Sequence, residues 1–178
     1  MPQKLCPCGS NKAEKYCCGM YLAGKKQPET AEKLMRSRYS AFYWSNVEYL
    51  IATLHSDKRK PGDRAELAKS IKDTQWLGLT IINTQRGKKN DFQGIVEFEA
   101  IYQTGEPGQL HERSHFIKTE GQWFYVDGEI LPGTIPKPKE PCWCKSGKKY
   151  RQCHGLSSVF AHSSRRHTNV GGERNVRL

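Results

Sequence analysis

Residues 142–154 read Cys142-Trp-Cys144-Lys-Ser-Gly-Lys-Lys-Tyr-Arg-Gln-Cys153-His154. Two cysteines one residue apart are followed, after eight residues, by an adjacent Cys-His pair. Four soft or borderline ligands at this spacing suit a closed tetrahedral zinc site. The spacing recurs at the other end, in Cys6-Pro-Cys8-Gly-Ser-Asn-Lys-Ala-Glu-Lys-Tyr-Cys17-Cys18. There Cys18 takes the place of His154, and all seven cysteines of the chain are used. The competing readings are a disulfide or inert thiols. Adjacent cysteines rarely bridge each other, and a repeated spacing favours metal. The sequence therefore predicts two structural zinc ions, on Cys6, Cys8, Cys17 and Cys18 and on Cys142, Cys144, Cys153 and His154. Neither site has an open position to activate water.

So small a module buries almost no apolar surface, so the metal must stabilise it, by about 10–16 kcal/mol in zinc peptides. Ser10 and Ser146 are placed to cap a short helix. The final ligand pair belongs at that helix's end, since adjacent helical side chains diverge by roughly 100°.

The C-terminal segment resembles the SEC-C motif, the zinc-binding tail of the SecA translocation ATPase, and the N-terminal one is similar through Cys6-Pro-Cys8-Gly-Ser and Tyr16-Cys17-Cys18. A SEC-C motif at each end of a middle domain is the layout of the YchJ family of bacterial proteins. Leu34-Met-Arg-Ser-Arg-Tyr-Ser-Ala-Phe42, Trp76-Leu-Gly-Leu79, Glu112-Arg-Ser-x-Phe116 and Gly121-Gln-Trp-x-Tyr-x-Asp-Gly128 support it. The resemblance implies a cystatin-like, nuclear-transport-factor-like α+β cone between the modules. It also implies docking, since SecA's tail is associated with the SecB chaperone and the ribosome. Trp143 and Lys145 stand where the motif usually has Pro and Gly, and Asn11 where it has Gly. Lys145 is thus expected to need a strained backbone, whereas Asn11 tolerates the left-handed region.

The elements that must position these ligands follow from the pattern between them. Residues 1–19 form the first module. Thr30 can cap a helix to about Trp44, with Leu34, Met35, Tyr39, Phe42 and Tyr43 on its apolar side. Ser45-x-x-Glu48 reads as a capping box for a second helix through Leu54, and Asp63-x-x-Glu66 opens a third to about Lys72. The period then changes to strands over Trp76–Gln85, Phe92–Gln103, Leu110–Lys118 and Gln122–Asp127, with turns at Gly105–Gly108 and Glu120–Gly121. Helices followed by antiparallel strands predict an α+β fold, helices packed on a curved antiparallel sheet, spanning residues 30–130. A Pro-rich linker, 131–140, leads to the second module, 141–155, and a basic tail, 156–178, is expected to be disordered. The middle domain should fold without either metal.

The 178 residues carry a net charge of +11, unevenly placed. Residues 31–136 balance fourteen basic against fourteen acidic residues, while residues 1–30 are +3, 137–155 are +5 and 156–178 are +3. No export signal or membrane span is read, which places these free thiols in the cytoplasm. Trp143, Lys145, Lys148, Lys149 and Arg151 are the candidate partner-binding residues. Their charge either offsets the metal–thiolate centre or, being in surplus, docks an acidic partner.

Within the middle domain Arg36, Arg38, His111, Glu112, Arg113, His115 and Asp127 are the polar candidates for a pocket or an acid/base pair. No nucleophile, base and orienter combination is readable, which favours structural roles for them and for His55. The aromatic residues Trp76, Phe98, Tyr102, Trp123 and Tyr125 read as core. Three hypotheses stand in order: a non-enzymatic zinc protein docking a protein or the ribosome, a small-molecule-binding or enzymatic cone with structural zinc, and an RNA or other polyanion binder through the basic ends.

Overall fold

The computed structural model describes residues 4–156. The predicted tail lies outside the described residues, except for Leu156. Four helices precede four strands: α1 Cys18–Leu22, α2 Ala31–Tyr43, α3 Val47–Ala52, α4 Asp63–Lys72, β1 Gln75–Arg86, β2 Gln93–Thr104, β3 Glu106–Thr119 and β4 Gln122–Leu131. The strands form an antiparallel meander in the order β1-β2-β3-β4. Register shifts at Trp76/Gly78, Ile81/Asn83 and His115/Phe116 add local twist, as bulges do. Helices lie on one face of this curved sheet, as expected.

Thr30 caps α2 through its hydroxyl, which accepts from the Lys33 amide. The helix buries Leu34, Met35, Tyr39, Ala41 and Phe42 against the sheet face carrying Val96, Phe98, Ala100, Phe116, Trp123 and Tyr125. Alternation along β2 and β3 gives this face its apolar row. Tyr39 and Phe42 both meet the Trp76 ring, at 5.7 and 5.6 Å between centroids, in geometries aromatic pairs favour. The Trp123 indole donates to the Glu29 carbonyl, 3.1 Å, tying β4 to the entry of α2.

Four boundaries differ from expectation. Ser45 turns through the left-handed region, φ +55°, so the cap of α3 moves to Asn46, whose side chain accepts from the Tyr49 amide. Helix α4 starts after Gly62 without a side-chain cap, and the Asp63 carboxylate instead accepts from the Lys60 amide. The β2–β3 connection is Gly105 alone, with Thr104 paired to Glu106, so Pro107 and Gly108 belong to β3. Strand β4 continues past Asp127 to Leu131.

The edges of the sheet are treated differently. At β4, the Tyr125 amide donates to the Thr53 carbonyl and the His55 amide to the Tyr125 carbonyl, so the exit of α3 covers that edge. At the other edge, the second half of β1 is exposed. No described helix is long and apolar enough to cross a membrane.

Candidate metal centres

The two ends share one local backbone. In each, an isolated antiparallel bridge closes the knuckle, Leu5 with Ala13 and Pro141 with Lys149. The Cys6 amide donates to the Lys12 carbonyl and the Cys142 amide to the Lys148 carbonyl, both 2.8 Å. Gly9 and Lys145, each following the second cysteine, have φ +74° and +59°, and Asn11 and Gly147 follow at +58° and +77°. The left-handed backbone anticipated at Lys145 is therefore present, at a residue with a Cβ, where it costs about 1–2 kcal/mol. A short 3₁₀ turn comes next, Glu14–Tyr16 or Tyr150–Gln152, and the third cysteine ends it. Ser10 and Ser146 do not cap these turns. Their hydroxyls accept from the Lys12 and Lys148 amides and lie 3.2 and 3.5 Å from Cys17 and Cys153 Sγ.

This backbone gathers the ligands. Cys6, Cys8, Cys17 and Cys18 form one group, and Cys142, Cys144, Cys153 and His154 the other, their ligand atoms all within 4.8 Å of one another. Sulfur separations of 3.6 Å (Cys8–Cys17 and Cys144–Cys153) and 4.0 Å (Cys17–Cys18) are far beyond the ~2.05 Å of a disulfide. They bracket the roughly 3.8 Å edge of a tetrahedron built on ~2.3 Å metal–thiolate bonds. In the second group the His154 Nδ1 lies 3.2 Å from Cys142 Sγ and 3.3 Å from Cys153 Sγ. Both donor sets fit a metal ion.

The electrostatics agree. Hydrogen bonds from the Cys18 and Cys8 thiols hold Cys6 far below the usual thiol range. Bonding to Cys6 and Cys8, with burial, drives Cys18 far above it. Four thiols in contact cannot all ionise unless a cation neutralises them. In the second group burial raises Cys144, but the Ser146 hydroxyl and amide, together with the Cys142 and Cys153 thiols, outweigh it and bring the thiol down to about 6.

The two centres differ in seating. Cys6, Cys8 and Cys18 are at most 5% exposed and belong to the same core cluster as Leu34, Met35 and Trp76. Arg36 clamps this knuckle, its Nη1 donating to the Cys8 carbonyl at 2.8 Å while Nε bonds Glu32. The Ser40 hydroxyl lies 3.7 Å from Cys6 Sγ. A Cβ built on Gly9 would stand 2.8 Å from the Leu79 carbonyl oxygen of β1. The C-terminal centre stands apart from that cluster. Its Lys145 side chain runs across β1 and its ammonium occupies the place a Cβ on Gly78 would take. Lys148, Lys149 and Arg151 are exposed. Trp143 is half-buried, its ring stacked on His154 with centroids 4.3 Å apart.

The remaining polar candidates do not converge. Arg38 and Glu112 point inward. The Arg38 Nη1 donates to the Leu50 carbonyl and Thr53 hydroxyl, both 2.8 Å, and its guanidinium lies 4.6 Å from the Tyr125 ring. Burial brings Arg38 down to about 10. Ser114 and Tyr125 donate to Glu112. His111, Arg113, His115 and Asp127 lie on the opposite face. Arg113 and His111 share Glu97, and Asp127 accepts from His115 and Lys58. His55 accepts from the Asp57 amide and packs on Phe124. Sequence reasoning missed the Arg36–Cys8 clamp; a contact across 28 positions of chain has no local signal.

The family profile of the YchJ middle NTF2-like domain matches residues 30–128, and that of the SEC-C motif matches residues 139–156. A UPF0225 protein of Photorhabdus laumondii is 44% identical over 159 residues, covering 85% of this chain and 99% of its own. The chain belongs to the UPF0225 family. A second UPF0225 protein, from Serratia proteamaculans, is 43% identical over 160 residues, covering 87% of this chain and 99% of its own. The solution structure of a SEC-C motif containing protein of Rhodopseudomonas palustris is 30% identical, with a TM-score of 0.66 over 72% of this chain and all of that one. A crystal structure of a SEC-C motif containing protein of Psychrobacter arcticus has 28% identity and a TM-score of 0.60, covering 86% and 96%. Within the family, then, this chain has an NTF2-like α+β domain, a SEC-C motif at its C-terminal end and a second cysteine group of matching backbone at the other.

Proposed function

We propose that this UPF0225 protein is a non-enzymatic, cytoplasmic docking protein with two structural zinc ions. Cys6, Cys8, Cys17 and Cys18 hold one ion, in a second knuckle of SEC-C type, and Cys142, Cys144, Cys153 and His154 hold the other. Zinc suits three or four thiolates in a closed tetrahedral set. The observation that carries the docking reading is the C-terminal knuckle itself. It uses all four ligands internally and surrounds them with exposed Lys148, Lys149 and Arg151. The partner is a protein or the ribosome. The middle domain supports a scaffold role, because Tyr39, Phe98, Phe116 and Tyr125 fill the space beneath α2.

The test is recovery of partners from cytoplasmic extract by intact protein and by Cys153→Ser, with metal counted by native mass spectrometry. Two ions in the intact protein, one in the variant and loss of a partner with the second ion support the reading. Partner recovery unchanged by loss of the second ion would refute it. One observation favours the small-ligand alternative: a groove of about 490 Å³ on the sheet, lined by Gln85, Arg86, Gln93, Ile95 and His115 among others. It lacks the nucleophile or oxyanion donors that would make His115 and Asp127 an enzyme site.

A further inference from the structure

The repeated backbone places basic side chains at matching positions of both knuckles. Lys12 and Lys148 each follow the left-handed turn, and Lys15 and Arg151 each sit in the 3₁₀ turn; all four are exposed. The knuckles also share a footing. Gly9 abuts the carbonyl of Leu79, and Lys145 lies over Gly78, the preceding residue of the same strand. Neighbouring Cα atoms are 3.8 Å apart, so, allowing for the length of a lysine, the two Cys-x-Cys turns stand within about 15 Å. β1 therefore joins two basic knuckles that lie at opposite ends of the sequence.

Resting on the docking reading, we propose that both knuckles form one composite surface for the phosphate backbone of single-stranded RNA. Four observations select that chemistry. The charge is supplied as paired Lys and Arg, residues that neutralise phosphates. With zinc on four thiolates near −2 and on three near −1, the +3 and +5 ends remain positive while the middle domain is neutral. Protein interfaces are instead depleted in lysine and built on aromatic anchors, and Trp143 is engaged by its own module's His154. Tyr16, 64% exposed and 4.7 Å from the Lys15 ammonium, offers the kind of aromatic face on which an unpaired base stacks.

Full-length, zinc-loaded protein and a fluorescently labelled mixed-sequence RNA of about twelve nucleotides provide the test, read by anisotropy between 50 and 200 mM salt. Four phosphate contacts on a single strand give a slope near −2.8, an affinity loss of roughly 50-fold across that range. Lys12→Gln with Lys15→Gln, or Lys148→Gln with Arg151→Gln, should each halve the slope and leave a loss of about 7-fold. All four changes together should abolish the salt dependence, with both ions retained by mass spectrometry. A dinucleotide, whose single internucleotide phosphate cannot engage both knuckles, should bind at least tenfold more weakly than the longer RNA. A slope that responds to one pair alone would overturn the composite surface. Polyglutamate binding as tightly as RNA, with the same dependence on the four residues, would overturn the choice of RNA in favour of an acidic protein. Absence of RNA binding together with partner loss in Cys153→Ser would remove this inference and leave the docking reading standing. Neither effect would remove both.

Discussion

Seating of the N-terminal knuckle on β1 predicts an unusual cost for Gly9→Ala. The position has φ +74°, and a Cβ in that region costs about 1–2 kcal/mol. The new methyl would also stand 2.8 Å from the Leu79 carbonyl oxygen, a backbone atom that cannot turn away as a side-chain tip could. Forcing volume into such a contact costs about 1–3 kcal/mol more. The sum, about 2–5 kcal/mol, lowers Tm by roughly 4–20 °C at 2–4 °C per kcal/mol for a chain of this size. Gly121→Ala is the control. It has φ +79° and nothing within 4 Å of its Cβ, so only the backbone cost applies, about 2–8 °C. Calorimetry of both variants, each shown to hold two metal ions, measures the difference. Equal shifts would mean that Gly9 does not press on β1, and the shared footing of the two knuckles would fall with it.

Cys8→Ser should unfold the protein at least about 8 °C lower, because Cys8 is fully buried in the main core and losing such a centre is worth several kcal/mol. Cys153→Ser should lose one ion and leave the main transition within about 2 °C, as checked by calorimetry beside native mass spectrometry. Arg38→Ala should destabilise by about 2–4 kcal/mol in urea titration, since it empties core volume and removes two hydrogen bonds that tie α2 to the end of α3. His111 carries a pH prediction. Its Nδ1 faces the Pro132 carbonyl and its Nε2 faces Glu97, so both donate only in the imidazolium. Burial works against that form, but the bonds to Pro132 and Glu97 raise the pKa above its ordinary value. This contribution is complete below the unfolded value near 6.5 and is lost as pH rises through the folded one. Glu97, held low by His111 and Arg113, contributes above its unfolded value near 4.3 and loses that as pH falls through its folded one. Wild type should therefore exceed His111→Gln most between about pH 4.5 and 6.5, and the gap should shrink above. A constant gap across a pH series of urea titrations would contradict the assignment.

What could be read in advance was whatever the chain enforces locally. The Cys-x-Cys turns, the eight-residue spacers and the need for a left-handed residue at Lys145 are short-range constraints, and they reappear as the ligand groups and φ +59°. The alternation of Phe92, Gly94, Val96, Phe98, Ala100 and Tyr102 likewise reports a single face, buried from Gly94 to Ala100, whereas Phe92 precedes β2 and is exposed. Failures arose where two local rules competed. Ser45 satisfied a capping pattern, but the chain reverses there in the left-handed region, and Asn46 became the cap. Pro107 and Gly108 read as turn residues, yet the pairing of β2 with β3 absorbed them because Gly105 reverses the chain alone. Arg36 on the Cys8 carbonyl, Trp143 on His154 and the footing of both knuckles on β1 are products of tertiary packing, and no period or spacing encodes them.

The rim of a sheet is a template on which stray chains can polymerise. From Gln75 to Gln85, β1 carries no charged residue and is rich in Ile, Leu and Thr, the composition that favours cross-strand assembly. The exit of α3 shields the far rim by covalent continuity, whereas β1 is flanked by two modules whose cysteine groups could hold a metal ion. Under the proposed function, metal supply then sets more than affinity for a partner. Starvation would release the guards from Gly78 and Leu79, and the first symptom in the cell would be aggregation of the protein rather than silent loss of binding. Withdrawal of the proposed zinc would in that way turn the protein into a substrate for chaperones and proteases.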